Sequence, residues 1–379
     1  TSVGELRGFF NDVPDIGIPD QQYTKEQNLE ALKHYVKKMN KWGYTALLSQ
    51  APHFGLDARA YSDMDAAGEL TVRATIASEL AQDSFEADLT RLNKLRSEIK
   101  SDKLKVATAK FFVDGVLEGH TAYLKEPYRE EAGLGRDYNA APEWEKAPLI
   151  EAFRAVLKEG YQIHVHSIGD AATAMVLDAL EAVQDECADK DPRHTITHLH
   201  IVDPEDLDRF AGLNIIASLQ TFWHLKEPDF YEYVEGPCLG EESQNRLYPA
   251  KSFVDRGVRI TNSGDYPVSF MNDPFMGIRA GVTRNLYSEA YYGMEIDDID
   301  DERFLLLPEE RLSVKNMIEA YTANGAYQIL REDEIGSLEE GKYADYIVVS
   351  ADPMTADPLT IDAIHPLETV FEGKTVYAE

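Results

Sequence analysis

Cysteine is almost absent from this chain: Cys187 and Cys238 are the only two, they lie far apart, and neither belongs to a CxxC pair. That scarcity argues against a disulfide scaffold and a thiolate zinc site, and it favours a reducing, cytoplasmic setting. Long apolar runs are missing too. No stretch approaches the roughly 18 residues that a membrane-spanning helix requires, so no membrane partner is expected. Positive charge is scarce: 37 Lys and Arg stand against 68 Asp and Glu, for a net charge of −31. Phosphate binding needs clustered basic residues, and no such cluster is found, so nucleic acid is not an expected partner. The acidic excess reads instead as a solvated surface.

Apolar content is ample, at 44% of 379 residues, enough for one large α/β barrel or two ordinary domains. The chain begins at Thr1 and not at Met. A nucleophilic N-terminal threonine finds no support in the SVGELRGFF that follows, and a truncated start is the expectation.

Along the chain, helical and strand-like segments alternate. Thr24–Lys41 reads as a helix, with Thr24 as N-cap and Gln27 three residues on. Strands are expected at Tyr44–Ser49, Glu69–Ser78, Lys103–Asp114, Tyr161–Ser167, His194–Ile201, Asn214–Gln220 and Val258–Asn262, with helical patterns between most of them. Such alternation predicts βαβ units and a parallel sheet. Seven strands are too few for a closed eight-stranded barrel, and the missing one would precede the first. Two long connections, Val116–Trp144 and Thr221–Gln244, are candidate functional loops. A helix is expected over Ser313–Ile329, then strands at Tyr346–Val349 and across Val370–Tyr377. The expected division is a barrel over residues 1–333 and part of a small β-sandwich over 334–379.

Two stretches carry candidate chemistry, YQIHVHSIGD (Tyr161–Asp170) and RHTITHLHIVD (Arg193–Asp203). Each holds two histidines spaced by two, which in a strand project to one face. Neighbouring strands of this kind could aim imidazoles at one point, as a catalytic divalent ion requires. Ordinary core histidines with local hydrogen-bond partners would read the same way. Lys110 lies inside an otherwise apolar strand, either snorkelling to the rim, or paired with Asp114, or kept for chemistry. Asp265 ends the last strand after two small residues, which suits a turn or a ligand.

The ordered set KFFVDGVLEGHTAY (Lys110–Tyr123), HVHSIGDAA (His164–Ala172), HTITHLHIVDPEDLDRF (His194–Phe210), NSGDYPV (Asn262–Val268), YTANGA (Tyr321–Ala326) and GSLEEGKYADYIVVSADP (Gly336–Pro353) resembles the metal-dependent amidohydrolase superfamily, and within it the YtcJ-like branch, also termed exoenzyme regulatory proteins. The resemblance implies a (β/α)8 TIM-type barrel, here without strand one and its HxH pair, and a C-terminal β segment. It implies His166 and His198 as metal ligands and Asp265 as a further ligand and proton shuttle. It places Lys110 where the superfamily has a lysine that can carry CO₂ as a carbamate. The implied cofactor is one or two divalent ions, zinc by preference. The implied reaction is hydrolysis of a small amide-type C–N substrate by a metal-activated water. His164 and His200 are read as support behind the ligands, and Tyr123, Trp223 and His224 as substrate contacts. A non-catalytic binding or regulatory relative is the alternative. If the barrel lacks its first strand, the edges at Tyr44–Ser49 and Val258–Asn262 are open, and the expectation is that a further N-terminal segment covers them or that the chain gaps open, swaps or associates, a homo-oligomer being one such outcome.

Overall fold

Thr24 starts the first helix, Lys25–Lys41, by a reciprocal cap: its side chain accepts from the Gln27 amide at 3.2 Å, and the Gln27 side chain accepts from the Thr24 amide at 2.8 Å. This computed structural model describes residues 23–50, 57–187, 191–269, 271–287 and 289–379; Thr1 and its neighbours lie outside the described residues. From the first helix onward, strand and helix alternate. The strands are β1 (Ala46–Ser49), β2 (Arg73–Glu79), β3 (Leu104–Phe112), β4 (Gln162–Ser167), β5 (Thr195–His198), β6 (Ile216–Leu219) and β7 (Ile260–Asn262). They lie side by side in chain order and every neighbouring pair is parallel. With helices packed outside, this is a curled (β/α)8-type barrel sheet holding seven strands. Among the described residues no ladder joins β7 to β1.

Side chains meet across that opening instead. Asn262 Nδ2 donates to Tyr321 Oη at 2.7 Å, the Tyr321 and Tyr44 rings lie 6.4 Å apart, and Tyr266 packs against Tyr35 of the first helix and Trp42 just after it. Ile260 and Leu47 are buried.

β4 is buried along its whole length, as a strand with helices on one side and a filled interior on the other must be. The main core packs Phe111 against Phe153 and Trp144 beneath the outer helices. A second cluster, with Leu117, Tyr128, Ile168, Ile201, Leu247 and Tyr248, sits under the two long loops.

Three elements depart from expectation. β5 stops at His198 and not at Ile201, because His198 and Leu199 take left-handed backbone, φ 80 and 53. The expected helix Ser313–Ile329 breaks at Thr322 (φ −121, ψ −94) into Val314–Tyr321 and Ala323–Gln328. The C-terminal sheet has three antiparallel strands, β8 (Tyr346–Val349), β9 (Pro366–Phe371) and β10 (Lys374–Ala378), in the order β10-β9-β8. Glu372 and Gly373 turn the last hairpin with φ 50 and 73, the left-handed pair a two-residue hairpin requires.

Candidate metal centre

Parallel pairing fixes which side chains share a face. Lys110 is level with Glu79 on β2 and His164 on β4, and Phe112 is level with His166. Lys110, His164 and His166 therefore project to the same face, into the barrel. Lys110 is 1% exposed and its Nζ has no hydrogen-bond partner; it lies 4.7 Å from the centre of the Phe112 ring. Burial pushes its amine down to about 7, against the opposing pull of Asp265 and Glu79. It neither reaches the rim nor pairs with Asp114. The Asp114 carboxylate is given to three backbone amides, those of Gly169 (2.8 Å), Ile168 (3.0 Å) and Tyr123 (3.0 Å).

The His166 and His198 rings lie 4.5 Å apart, edge to face at 66°. Strand alternation alone does not produce this. On β5 it is Thr197 that is level with His166, while His198 is level with Ser167 and would point the other way. The left-handed backbone of His198 breaks the alternation, and its ring meets His166 nonetheless. Hydrogen bonds then fix both tautomers. His166 Nε2 lies 2.9 Å from the Gly115 carbonyl and must carry hydrogen, leaving Nδ1 with its lone pair. His198 Nδ1 lies 2.9 Å from Gln220 Oε1, leaving Nε2 with its lone pair. Gln220 is itself oriented, donating to Thr197 and Ser263 hydroxyls. Burial pushes His166 down to about 3 and His198 well below the usual imidazole range, with Lys110 adding to both shifts. Both rings are neutral, which is the ligating form.

The other expected residues fall as follows. Asp265 follows β7 with φ 50, is half-buried, and acts electrostatically on Lys110. Trp223 stacks on His198 (5.6 Å, 21°) and meets His200 edge-on (5.3 Å), while its Nε1 donates to Ser269 Oγ at 2.9 Å. His224 stacks on Tyr248 at 4.6 Å. Tyr123 is not brought to the histidines: its ring packs half-buried against the main core, and its backbone ties the first long loop to Asp114 and to Ala172. His164 and His200 have no hydrogen-bond partner on either ring nitrogen, so they do not orient a ligand by hydrogen bonding.

Sequence reasoning missed Asp114 as a loop anchor, Gln220 as the partner of His198, and the buried pair Glu235–Tyr248. The Asp-Gly turn at 114–115 was the only available signal for the first. Nothing local marks the others, since their partners lie about 20 or 13 positions away.

A divalent ion is tested by the donors at hand. Two adjacent neutral imidazoles with free lone pairs and a buried amine lacking any partner fit such an ion in kind. In this conformation, among the described residues, no three His, Cys, Asp or Glu side chains converge closely enough to hold one. Also among these residues, no helix is long and apolar enough to cross a membrane.

Comparison with known proteins adds the context. Residues 6–377 match the group described as Amidohydrolase family. The Bacillus subtilis (strain 168) protein YtcJ is 28% identical over 359 residues, covering 94% of this chain and 62% of that protein. N-substituted formamide deformylase of Arthrobacter pascens is 26% identical over 223 residues, 58% of this chain and 37% of the relative. Among solved structures, an uncharacterized metal-dependent hydrolase from Pyrococcus horikoshii OT3 superposes with a TM-score of 0.70 at 23% identity, covering 89% of this chain and 62% of that one. The chain thus spans less than two thirds of the length of these relatives.

Proposed function

The chain belongs to the amidohydrolase family, and on that premise we propose that it is the barrel of a metal-dependent hydrolase that cleaves an amide-type C–N bond in a small molecule. The observation that carries this reading is the pair His166–His198, 4.5 Å apart, both neutral and each with one nitrogen left for a ligand. These two rings, with Lys110, would hold a divalent cation, zinc in this proposal, as one of one or two ions. Asp265 would approach the same ion from β7. The name of the formamide deformylase relative supports an amide-type substrate.

A divalent ion bound there would supply Lewis acidity to a carbonyl and acidify a water near neutral pH. The chain's own residues do the rest. The Lys110 amine, poised at about 7, is uncharged often enough to add CO₂, forming an N–C bond and losing a proton to give a carbamate whose oxygens offer the lone pairs that an ammonium lacks. Asp265 takes the proton of the attacking water and returns it to the leaving nitrogen. Gly115 and Gln220 keep the two imidazoles in their ligating tautomers. Trp223 and His224 would line the substrate side.

Metal analysis of the purified chain tests the proposal. His166→Ala and His198→Ala should each lower divalent metal content several-fold against the unaltered chain. Full occupancy in both variants would overturn the ligand assignment. A non-catalytic binding protein is the second reading, favoured by the failure of three His, Cys, Asp or Glu side chains to converge among the described residues. A chain that takes up no divalent ion would decide for it.

A further inference from the structure

Where the two long loops meet they enclose, with a third segment, a cavity of about 730 Å³ that the hydrolytic reading does not use. That volume lies within the range of roughly 300–1,000 Å³ common to small-molecule sites. Arg129 and Glu131 of the first loop form one wall, residues between Lys226 and Gln244 of the second loop another, and Glu302 to Phe304 the third; none of Lys110, His166, His198 and Asp265 lines it. The walls are fastened to one another. Arg129 grips both oxygens of Glu131 at 2.7 and 3.3 Å and also donates to the Gly236 carbonyl at 3.1 Å, which ties the two loops together. The Lys226 amide donates to the Phe304 carbonyl at 2.8 Å and so holds the third wall to the second. Tyr231 opens a π-helical turn, Tyr231–Glu235, and donates its hydroxyl to Gln244 Oε1 at 3.2 Å. Turns of this kind are rare and recur at functional sites.

Most charges on these walls are already answered from within the chain. Arg303 is held by both oxygens of Asp301, and Glu227 Oε2 accepts the Asp229 and Phe230 amides at 3.2 and 2.6 Å. Three are left over. Among the described residues, the side chains of Lys226, Glu232 and Glu302 enter no ion pair and no hydrogen bond, and Lys226 Nζ lies instead 5.6 Å from the centre of the Tyr231 ring. The ammonium is therefore out of salt-bridge reach of both carboxylates although all three line one cavity. We propose that this cavity is a second small-molecule site, which takes an amino-acid zwitterion with an apolar side chain. Charges of opposite sign that face one space without neutralising each other select a ligand that carries both. The ligand's carboxylate meets the Lys226 ammonium, its ammonium meets Glu232 or Glu302, and its side chain lies on Tyr231, Pro228 and Pro237. A simple anion meets four lining carboxylates with only Lys226 unengaged in its favour, and a simple cation leaves Lys226 unanswered and repelling it. The proposal does not rest on the hydrolase reading.

The test is a calorimetric titration of the full chain with three probes on a shared phenylalkyl skeleton: L-phenylalanine as the zwitterion, phenethylamine as the cation and hydrocinnamate as the anion. None of them has an amide bond, so hydrolysis does not intrude. L-Phenylalanine should bind saturably, and each singly charged probe should bind roughly tenfold more weakly, the loss expected when one charge-assisted hydrogen bond is given up. Lys226→Met should weaken L-phenylalanine roughly tenfold and not weaken phenethylamine. Glu232→Gln combined with Glu302→Gln should weaken L-phenylalanine by a similar factor and not weaken hydrocinnamate. Because none of the three side chains has a partner within the chain, both variants should keep the melting temperature of the unaltered protein, which separates a lost contact from a lost fold. His166→Ala, altered at the candidate metal centre, should bind L-phenylalanine as the unaltered chain does. No binding of L-phenylalanine, equal binding of the three probes, or unchanged affinity in Lys226→Met would each overturn the site. So would affinity lost in His166→Ala and kept in Lys226→Met, which would move the binding to the metal centre.

Discussion

Around the barrel mouth, His198 at φ 80, Leu199 at 53, Tyr248 at 52 and Asp265 at 50 hold left-handed backbone without being glycine. Each such conformation costs on the order of 1–3 kcal/mol and persists only where neighbours over-determine it. Here the consequence is visible at His198, whose ring meets His166 although the strand register points it away. Asp265 is the residue at which backbone and chemistry separate most cleanly by substitution. Asparagine tolerates left-handed backbone and matches aspartate in size, so Asp265→Asn should leave the melting temperature nearly unchanged. It lacks the base, so under the proposed hydrolase reading it should lower turnover about 10²-fold or more. Asp265→Ala should lose activity and also melt earlier, since alanine adopts that backbone poorly. Turnover in Asp265→Asn equal to that of the unaltered protein would remove the proton-shuttle role.

At the scale of elements, the turn that follows β4 is the one on which the site most depends. Gly169 lies where the first long loop crosses, and a Cβ built on it would stand 1.9 Å from the Tyr123 carbonyl oxygen. Backbone cannot move aside as a side-chain tip can. Gly169→Ala should therefore destabilise by at least about 2 kcal/mol, read as a lower urea midpoint. It should also disturb the Asp114 anchor, because Asp114 binds the amides of both Gly169 and Tyr123. A midpoint unchanged in Gly169→Ala would mean that the loop is not held there. Much of this architecture was legible in the chain. The Thr24 cap, the β/α rhythm and the shared face of His164 and His166 all follow from local pattern, and the structure has them. The broken end of β5 was not legible, because left-handed backbone at a histidine is imposed by tertiary contacts. The burial of Lys110 was visible as a question only: its strand gave its face, but not whether a partner waited there. Gln220, Glu235 and Tyr248 were invisible for the same reason, since their meaning lies in contacts between distant segments.

At the scale of the whole molecule, the N-terminal end of the sheet, opposite the site, is where the C-terminal sheet is attached. Arg73, at the start of β2, is 1% exposed and forms ion pairs with Asp345 before β8 and, at 2.8 Å, with Glu372 in the β9–β10 turn. Its guanidinium also lies over the Tyr343 and Phe371 rings, 4.0 and 4.7 Å from their centres. Thr369 of β9 adds a buried bond to the Asn40 carbonyl of the first helix at 2.7 Å. One cation thus joins barrel and sheet, and its removal strands a buried carboxylate. Arg73→Ala should destabilise by about 3–5 kcal/mol, the range for breaking a buried pair on one side. The sign of its pH dependence follows. Burial already raises Asp345 against the pull of the Glu372 amide and of Arg73, and the loss of Arg73 removes the nearby positive charge from that balance. Its carboxyl in the folded variant then titrates above the unfolded value, so the stability it contributes is present at low pH and lost as pH rises through the raised value. The deficit of Arg73→Ala should accordingly shrink between pH 8 and pH 5 in paired urea unfolding series. Replacing both partners, as Arg73→Met with Asp345→Asn, should recover most of the loss, because no buried charge is left unpaired. A deficit that is the same at both pH values, or a double variant no better than Arg73→Ala, would show that packing of the Arg73 side chain on Tyr343 and Phe371, and not its charge, holds the two sheets together.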